Sequence, residues 1–339
     1  MSSRRTAKRS WVVASIMLLT LAWWVFGVTG TLRLGMVGVE VEDDYITRVL
    51  PDTPAERAGL RVGDRVAAIE GDEGMIEVGR TLEYLVERDS FFERIVLQAA
   101  SWHGTQRNVM LATIAMGLLH LLCGAAAWFY APGKAGNLFA LFCATTAVHW
   151  SGFRPATSDV NEWAFVSVLL LGTGFAASFL LHFTLVYPRP WSLEARRVTR
   201  AVLYGPPVLA FLVAVVSVAL HGGPMSSGLQ AVFFMLTNIP GYLFSLLALV
   251  VIGVRIRKAD ATERRNSGLN VMLVGMLAAY VPYLLVMLLE VVAPSVPIPG
   301  GVGAYPYTLF FVLTPVAFLY ALLTRDSLKS TVPSVPAQT

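Results

Sequence analysis

Eight separate runs of apolar residues, each close to the length of a bilayer-spanning helix, constrain this chain more than any other feature. A spanning helix needs about 20 mostly apolar residues. The candidates are residues 11–29, 109–130, 135–153, 163–187, 202–220, 229–254, 269–292 and 306–323, the third of them diluted by Thr145, Thr146 and His149. Arg4, Arg5, Lys8 and Arg9 precede the first run, as basic residues precede a signal peptide. That run, however, outlasts the ~7–15 residues of a signal h-region, and no Ala-x-Ala site follows it, so it reads as a retained anchor. Of 339 residues 55% are hydrophobic and only 14% charged, against roughly 25% charged in an average soluble domain. Disordered, collagenous and ordinary soluble classes are thereby excluded. Cys123 and Cys143 both fall inside apolar runs, so neither a disulfide framework nor a cysteine metal site is expected.

The basic residues set the expected orientation, because short cytoplasmic loops collect Lys and Arg. With a cytoplasmic N-terminus, the inside segments hold Arg4, Arg5, Lys8, Arg9, Lys134, Arg189, Arg196, Arg197, Arg200, Arg255, Arg257, Lys258, Arg264, Arg265, Arg325 and Lys329. That is 16 residues, against Arg154 alone in the three short outside loops. Removing any one span destroys the alternation. These clusters need only anionic lipid headgroups as partners, and no nucleic-acid site is expected of them. Residues 31–108 differ sharply from the rest: they carry 9 Lys/Arg and 15 Asp/Glu, a net −6, while the remainder of the chain is net +10. An acidic insert thus lies between the first two spans, on the extracytoplasmic side.

The insert reads as a folded domain. Val37, Val39 and Val41 alternate with polar or small neighbours as a half-buried strand requires, and 46–50 continues in kind. Thr53-Pro54-Ala55-Glu56 has the form of a capping box with Pro at the first helical position, and Gly59 suits a left-handed helix end. This predicts a short helix over 54–58, a Gly63-Asp64 turn and a strand over 65–70. Val78, Leu82 and Leu85, with Val86, are spaced for one face of a second helix. Residues 95–100 and 107–111 bracket His103-Gly104 as an expected hairpin leading into the second span.

The stretch Pro54-Ala-Glu-Arg-Ala-Gly-Leu-Arg-Val-Gly-Asp-Arg-Val-Ala-Ala-Ile-Glu-Gly71 closely resembles the hallmark of bacterial PDZ domains. The resemblance covers about 80 residues and implies a small β-barrel or sandwich with two helices. It also implies a carboxylate-binding loop before the second strand, at Leu34-Gly35-Met36-Val37, which departs from the familiar Gly-Leu-Gly-Phe type. Gly35 would let successive N–H groups converge on a C-terminal carboxylate. The ligand would then add as a strand beside 37–41, through Gly38 and Val39. Its last side chain would enter a pocket of Met36, Val39, Leu82 and Leu85, with Arg33 adding positive potential.

In the apolar part, none of the five histidines forms a metal motif, and no His-Glu-x-x-His is present. No metal or other cofactor is expected. Ser178 and His182 share a helix face, but without the surroundings of an activated nucleophile they read as a packing pair. His120, His149 and His182 fall at different expected depths, which argues against a shared haem. Glu290 is the one acidic residue inside an expected span and a candidate by default, yet it has no charged partner for proton-coupled transport. Phe179-Leu-Leu-His-Phe-Thr-Leu-Val-Tyr-Pro188 resembles a segment in the membrane sensor regions of bacterial histidine kinases and protein phosphatases, several of which carry a PDZ domain after their first helix. No output domain fits in the stretch after Leu323.

The expectation is therefore a polytopic α-helical protein of a bacterial cytoplasmic (inner) membrane. Residues 1–10 form a cytoplasmic N-terminus, 11–30 the first span, 31–108 an extracytoplasmic PDZ domain, 109–324 seven further spans, and 325–339 a disordered cytoplasmic tail. Its expected role is a non-enzymatic sensor or scaffold that binds a peptide or protein, as a C-terminus or internal segment, and passes the signal to a separate membrane or cytoplasmic partner. The rival is an intramembrane, protease-like enzyme or a small-solute transporter built on Ser178, His182 or Glu290.

Overall fold

The computed structural model describes residues 3–33, 35–70, 77–101, 104–150, 166, 168–194, 196–221, 227–292 and 309–331. They form two compact units, one with its described residues within 3–25, 111–150 and 166–331, the other within 26–110.

The smaller unit begins with the end of helix α1 (Ser3–Arg33). Strands β1 (Gly35–Met36), β2 (Val39–Glu42) and β3 (Tyr45–Val49) precede the short helix α2 (Pro54–Arg57). Then come β4 (Arg65–Glu70), β5 (Thr81–Arg88), β6 (Phe91–Gln98) and β7 (Ala100–Ser101). An antiparallel sheet runs in the order β2-β3-β4-β5-β6, and β1 pairs separately with β7. Two tight turns at Asp43-Asp44 and Asp89-Ser90 hold both central residues at positive φ, between 49° and 68°, the twist that two-residue hairpins favour. Ile46, Ala55, Leu60, Val66, Leu82, Tyr84, Val86, Ile95 and Leu97 make the buried core.

Two expectations are corrected here. Residues 81–88 are a strand, not a helix. Leu82, Tyr84 and Val86 alternate into the core, with Leu82 opposite Leu97 and Tyr84 opposite Ile95, while Val78 stays 48% exposed. The 3.6-residue spacing of 78, 82 and 85 coincides with a period of two over 82, 84 and 86, and pairing with β6 decides between them. Hence α2 is the unit's only helix within 35–101 among the described residues. The hairpin lies at Asp89-Ser90 instead of His103-Gly104, and residues from Gly104 onward are already helical; His103 lies outside the described residues.

The larger unit is helical: α1 up to Val25, α3 (Gly104–Tyr130) from Leu111 on, α4 (Lys134–His149), a π-helical stretch (Val168–Phe175) continuing as α5 (Ala176–Val186), α6 (Arg197–His221) and α7 (Ser227–Lys258). It ends with α8 (Ala261–Ser267), α9 (Leu269–Val292) and a 3-10 turn (Leu309–Val312) leading into α10 (Leu313–Thr331). Among the described residues five helices are long and apolar enough to cross a membrane: Trp11–Arg33, Arg107–Tyr130, Leu169–Val186, Arg197–Ser217 and Gly228–Lys258. Leu269–Pro282 and Phe310–Thr324 are shorter apolar helices. The remaining expected span, 135–153, coincides with the 16-residue α4. Phe139, Phe183, Phe318 and Tyr187 stack at the centre, with ring centroids 5.3–6.1 Å apart.

Candidate functional site

The start of α2 is built as its sequence dictates. Thr53 is the N-cap and its hydroxyl accepts from the Glu56 N–H at 3.5 Å. Glu56 reaches back to the Asp52 N–H at 2.7 Å, one residue before the position a capping box uses. The Ala55 N–H donates to the Val37 carbonyl and Leu50 N–H to the Gly38 carbonyl, at 2.9 and 2.8 Å. The segment preceding β2 is thereby tied to the helix start. Gly38 has φ +89°, and a Cβ there would collide with the Thr53 side chain, so only glycine lets the two approach.

Asp64 explains why the Gly-Asp turn matters. Its carboxylate accepts two bonds from Arg88, at 2.8 and 2.5 Å, and one from the Arg61 N–H at 2.8 Å. Arg88 also donates to the Gly59 carbonyl at 2.9 Å. The turn after α2 is thus clamped to the β5–β6 hairpin, and Arg88 beside Asp64 holds its carboxyl below the usual range. Nothing in the sequence spacing pairs these two residues.

The predicted groove residues are not placed alike. Leu34 lies outside the described residues. Arg33 is exposed at the end of α1, and its carbonyl accepts from the Val78 N–H at 3.1 Å. Gly35 lies in β1 opposite Ser101; a Cβ there would come within 2.9 Å of the Ala99 Cβ, so close strand packing accounts for it. Met36 and Val37 are 6% exposed and point into the unit. Leu82 is core at 1%, whereas Leu85 sits half-buried on the opposite face of β5. The structure therefore does not bring Met36, Val39, Leu82 and Leu85 around one helix-lined pocket. It leaves β2 as a sheet edge, bonded to β3 alone among the described strands, with Val39 half-buried and Val41 42% exposed. The opposite edge, β6, carries exposed Phe91, Phe92 and Val96, which the sequence reading did not single out although Phe91-Phe92 begins a strand-like run.

In the helical unit, the hydrogen bonds of Ser178 and His182 go to different partners. The Ser178 hydroxyl lies 2.6 Å from the Leu203 carbonyl and 2.9 Å from that of Gly174. His182 instead contacts the Tyr204 hydroxyl at 2.7 Å and Glu194 at 3.3 Å, and Lys134 pairs with Glu194. That ammonium holds the Glu194 carboxyl below its usual range. The segment 179–188 is a packing hub: Phe183 joins the aromatic centre, and the Tyr187 hydroxyl meets the carbonyls of Ser267 and Ala321 at 2.6 and 2.8 Å. Arg255 donates to the Leu185 and Arg189 carbonyls at 2.7 and 2.9 Å. His120 and His149, placed at different depths by the sequence reading, line one cavity, and His182 is not among its lining residues. Among the described residues no group of three or more His, Cys, Asp or Glu is arranged to hold a metal ion. Glu290 belongs to α9, and its side chain lies outside the described residues.

No curated protein and no solved structure matches the chain. The model of the PDZ domain family matches residues 45–85, the span from β3 through α2 and the Asp64 turn into β5, and the chain carries a PDZ domain there.

Proposed function

We propose that this chain is a non-enzymatic sensor or scaffold of a bacterial-type cytoplasmic membrane. In this reading eight helices cross the bilayer, both termini are cytoplasmic, and the PDZ domain outside captures a peptide or protein segment for a separate signalling partner. The distribution of Lys and Arg supports the orientation: 16 fall on one side of the alternating segments and Arg154 alone in the short loops of the other. The likeness of 179–188 to sensor regions of histidine kinases and phosphatases supports the signalling role.

The observation that carries the binding reading is the edge of β2, bonded to β3 alone among the described strands and next to the residues that the PDZ family matches. An extended segment can hydrogen-bond there as a further strand, its alternate side chains meeting Val39 and Val41. The net −6 of residues 31–108 favours a basic or neutral ligand. Because no second helix walls the edge among the described residues, backbone pairing supplies more of the recognition than a pocket for a terminal side chain does.

A library of short peptides, titrated against the full chain in nanodiscs, tests this. For a peptide that binds, N-methylation of alternate backbone amides removes donors and leaves side chains intact. Losing two such bonds weakens binding by about tenfold or more. Equal affinity for the methylated form refutes strand addition. Comparing acid and amide forms separates a C-terminal ligand from an internal segment.

A further inference from the structure

We propose that the helical unit binds an uncharged, lipid-soluble molecule bearing a hydroxyl group, an alcohol or phenol, in a cavity walled by α3, α4, the π-helical stretch with α5, α7, α9 and α10. The site belongs wholly to this unit and does not depend on the peptide reading. Its volume is 380 Å³, within the roughly 300–1,000 Å³ of small-molecule sites. Most of the wall is apolar or aromatic, and no Asp, Glu, Lys or Arg is among its described lining residues. A charged ligand would find no counter-charge in such a wall.

The polar groups in the wall fix the ligand chemistry. Thr146 and Ser245 donate to carbonyls of their own helices at 2.7 and 2.9 Å, and the Asn238 amide donates to the Phe234 carbonyl at 3.3 Å. Thr314 and Trp150 differ: both line the cavity, and the buried Thr314 hydroxyl, on a residue 2% exposed, and the buried Trp150 Nε1–H have no hydrogen-bond partner among the described residues. A buried orphan of this kind is costly unless something fills its valence. His120, 1% exposed, donates from Nδ1 to the Met116 carbonyl at 2.8 Å, leaving Nε2 as an acceptor in the neutral ring. A ligand ketone can accept from Thr314 or Trp150 but has no proton for His120. A ligand hydroxyl fills the Thr314 valence by accepting from it and still has a proton to donate to His120.

The backbone around the cavity is irregular in the way binding sites within helical bundles are. Residues 168–175 are π-helical and Pro240 interrupts the ladder of α7. A Cβ at Gly241 would lie 2.7 Å from the Thr173 side chain, so α7 and the π stretch meet there almost backbone to backbone. Such irregularities recur at functional positions. Tyr242 and Leu246 in the wall are 44% and 43% exposed, opening a side route suited to entry from the bilayer.

The test uses the full chain in nanodiscs, its thermal unfolding followed by reaction of a maleimide dye with Cys123 and Cys143, both buried in this unit. The probes are 4-hexylphenol, 4-hexylanisole and hexylbenzene, compared at equal mole fraction in the lipid. The phenol should stabilise saturably at a concentration about fivefold below that of hexylbenzene, the worth of one neutral hydrogen bond. Thr314→Val should weaken that preference while leaving the hexylbenzene response unchanged, and Thr314→Ser, which keeps the hydroxyl, should retain it in full. Equal responses to all three probes in the wild-type chain would mean an acyl-chain pocket and overturn the proposal. So would an unsaturable response, a preference undiminished in Thr314→Val, or one lost in Thr314→Ser.

Discussion

Arg88→Ala should destabilise the PDZ domain far more than an ordinary surface substitution. The change removes two bonds to the Asp64 carboxylate, at 2.8 and 2.5 Å, and one to the Gly59 carbonyl at 2.9 Å. Asp64, 5% exposed, keeps only the Arg61 N–H as partner among these. Breaking a fully buried pair from one side costs about 3–5 kcal/mol, whereas exposed pairs are worth about 0–1. Arg88 is 24% exposed, so water softens the loss, and about 2–4 kcal/mol is expected. For a small domain whose total stability is of order 5–15 kcal/mol, that is a large fraction. Hydrogen–deuterium exchange of the full chain in nanodiscs, read at the amides of β4, β5 and β6, measures it as a fall in opening free energy.

The same pair makes the domain acid-sensitive in a defined direction. Asp64 has its folded carboxyl lowered by Arg88. Its contribution is therefore complete above the unfolded carboxylate value of about 3.9 and is lost as pH falls through the lower folded value. Asp64→Asn keeps an acceptor for the Arg61 N–H but cannot titrate, so its stability should vary less below about pH 4. Arg88→Ala should also show a shallower acid limb. Protection in Arg88→Ala within about 0.5 kcal/mol of wild type, the spread of neutral surface changes, would refute the clamp. An unchanged acid limb would do the same for the electrostatic argument.

Two glycines should separate backbone strain from collision. Gly59 has φ +83° with open space around an added Cβ, so Gly59→Ala should cost only the left-handed penalty of about 1–2 kcal/mol. Gly38→Ala, which meets Thr53 as well, should cost clearly more in the same exchange assay. Reporter fusions after Ser192, Asp260 and Ser330 should report cytoplasm, and those after Asp72, Ser158, Ser226 and Pro297 the opposite side. A cytoplasmic signal at Asp72 would remove the external receptor from the proposed function.

What the sequence made legible was local. The Thr53 cap, the left-handed Gly59 and the apolar helices are each specified within a turn or a run, where neighbours in sequence are neighbours in space. The β5 strand was misread because Val78, Leu82 and Leu85 satisfy one period and Leu82, Tyr84 and Val86 another. Only Leu97 and Ile95, on a partner strand, break the tie. Its turn, Asp89-Ser90, adopts positive φ without glycine, so the usual hairpin signal was missing. Asp64 and Arg88 lie 24 residues apart, and the cavity draws single residues from many helices. No periodicity encodes such meetings, which is why the orphaned Thr314 hydroxyl was invisible until the helices were assembled.

The Tyr187 hydroxyl meets carbonyls 80 and 134 positions later in the chain, and this has a consequence in time. At about 5–20 residues per second of synthesis, Ala321 emerges roughly 7–27 s after Tyr187. For that interval the aromatic centre has Phe139 and Phe183 in place but neither Phe318 nor the carbonyl that closes the ring of contacts. The helices made first must therefore persist half-assembled until the last one arrives. A ribosome that stalls within α9 leaves the Tyr187 hydroxyl with the Ser267 carbonyl as the one of these two partners already made.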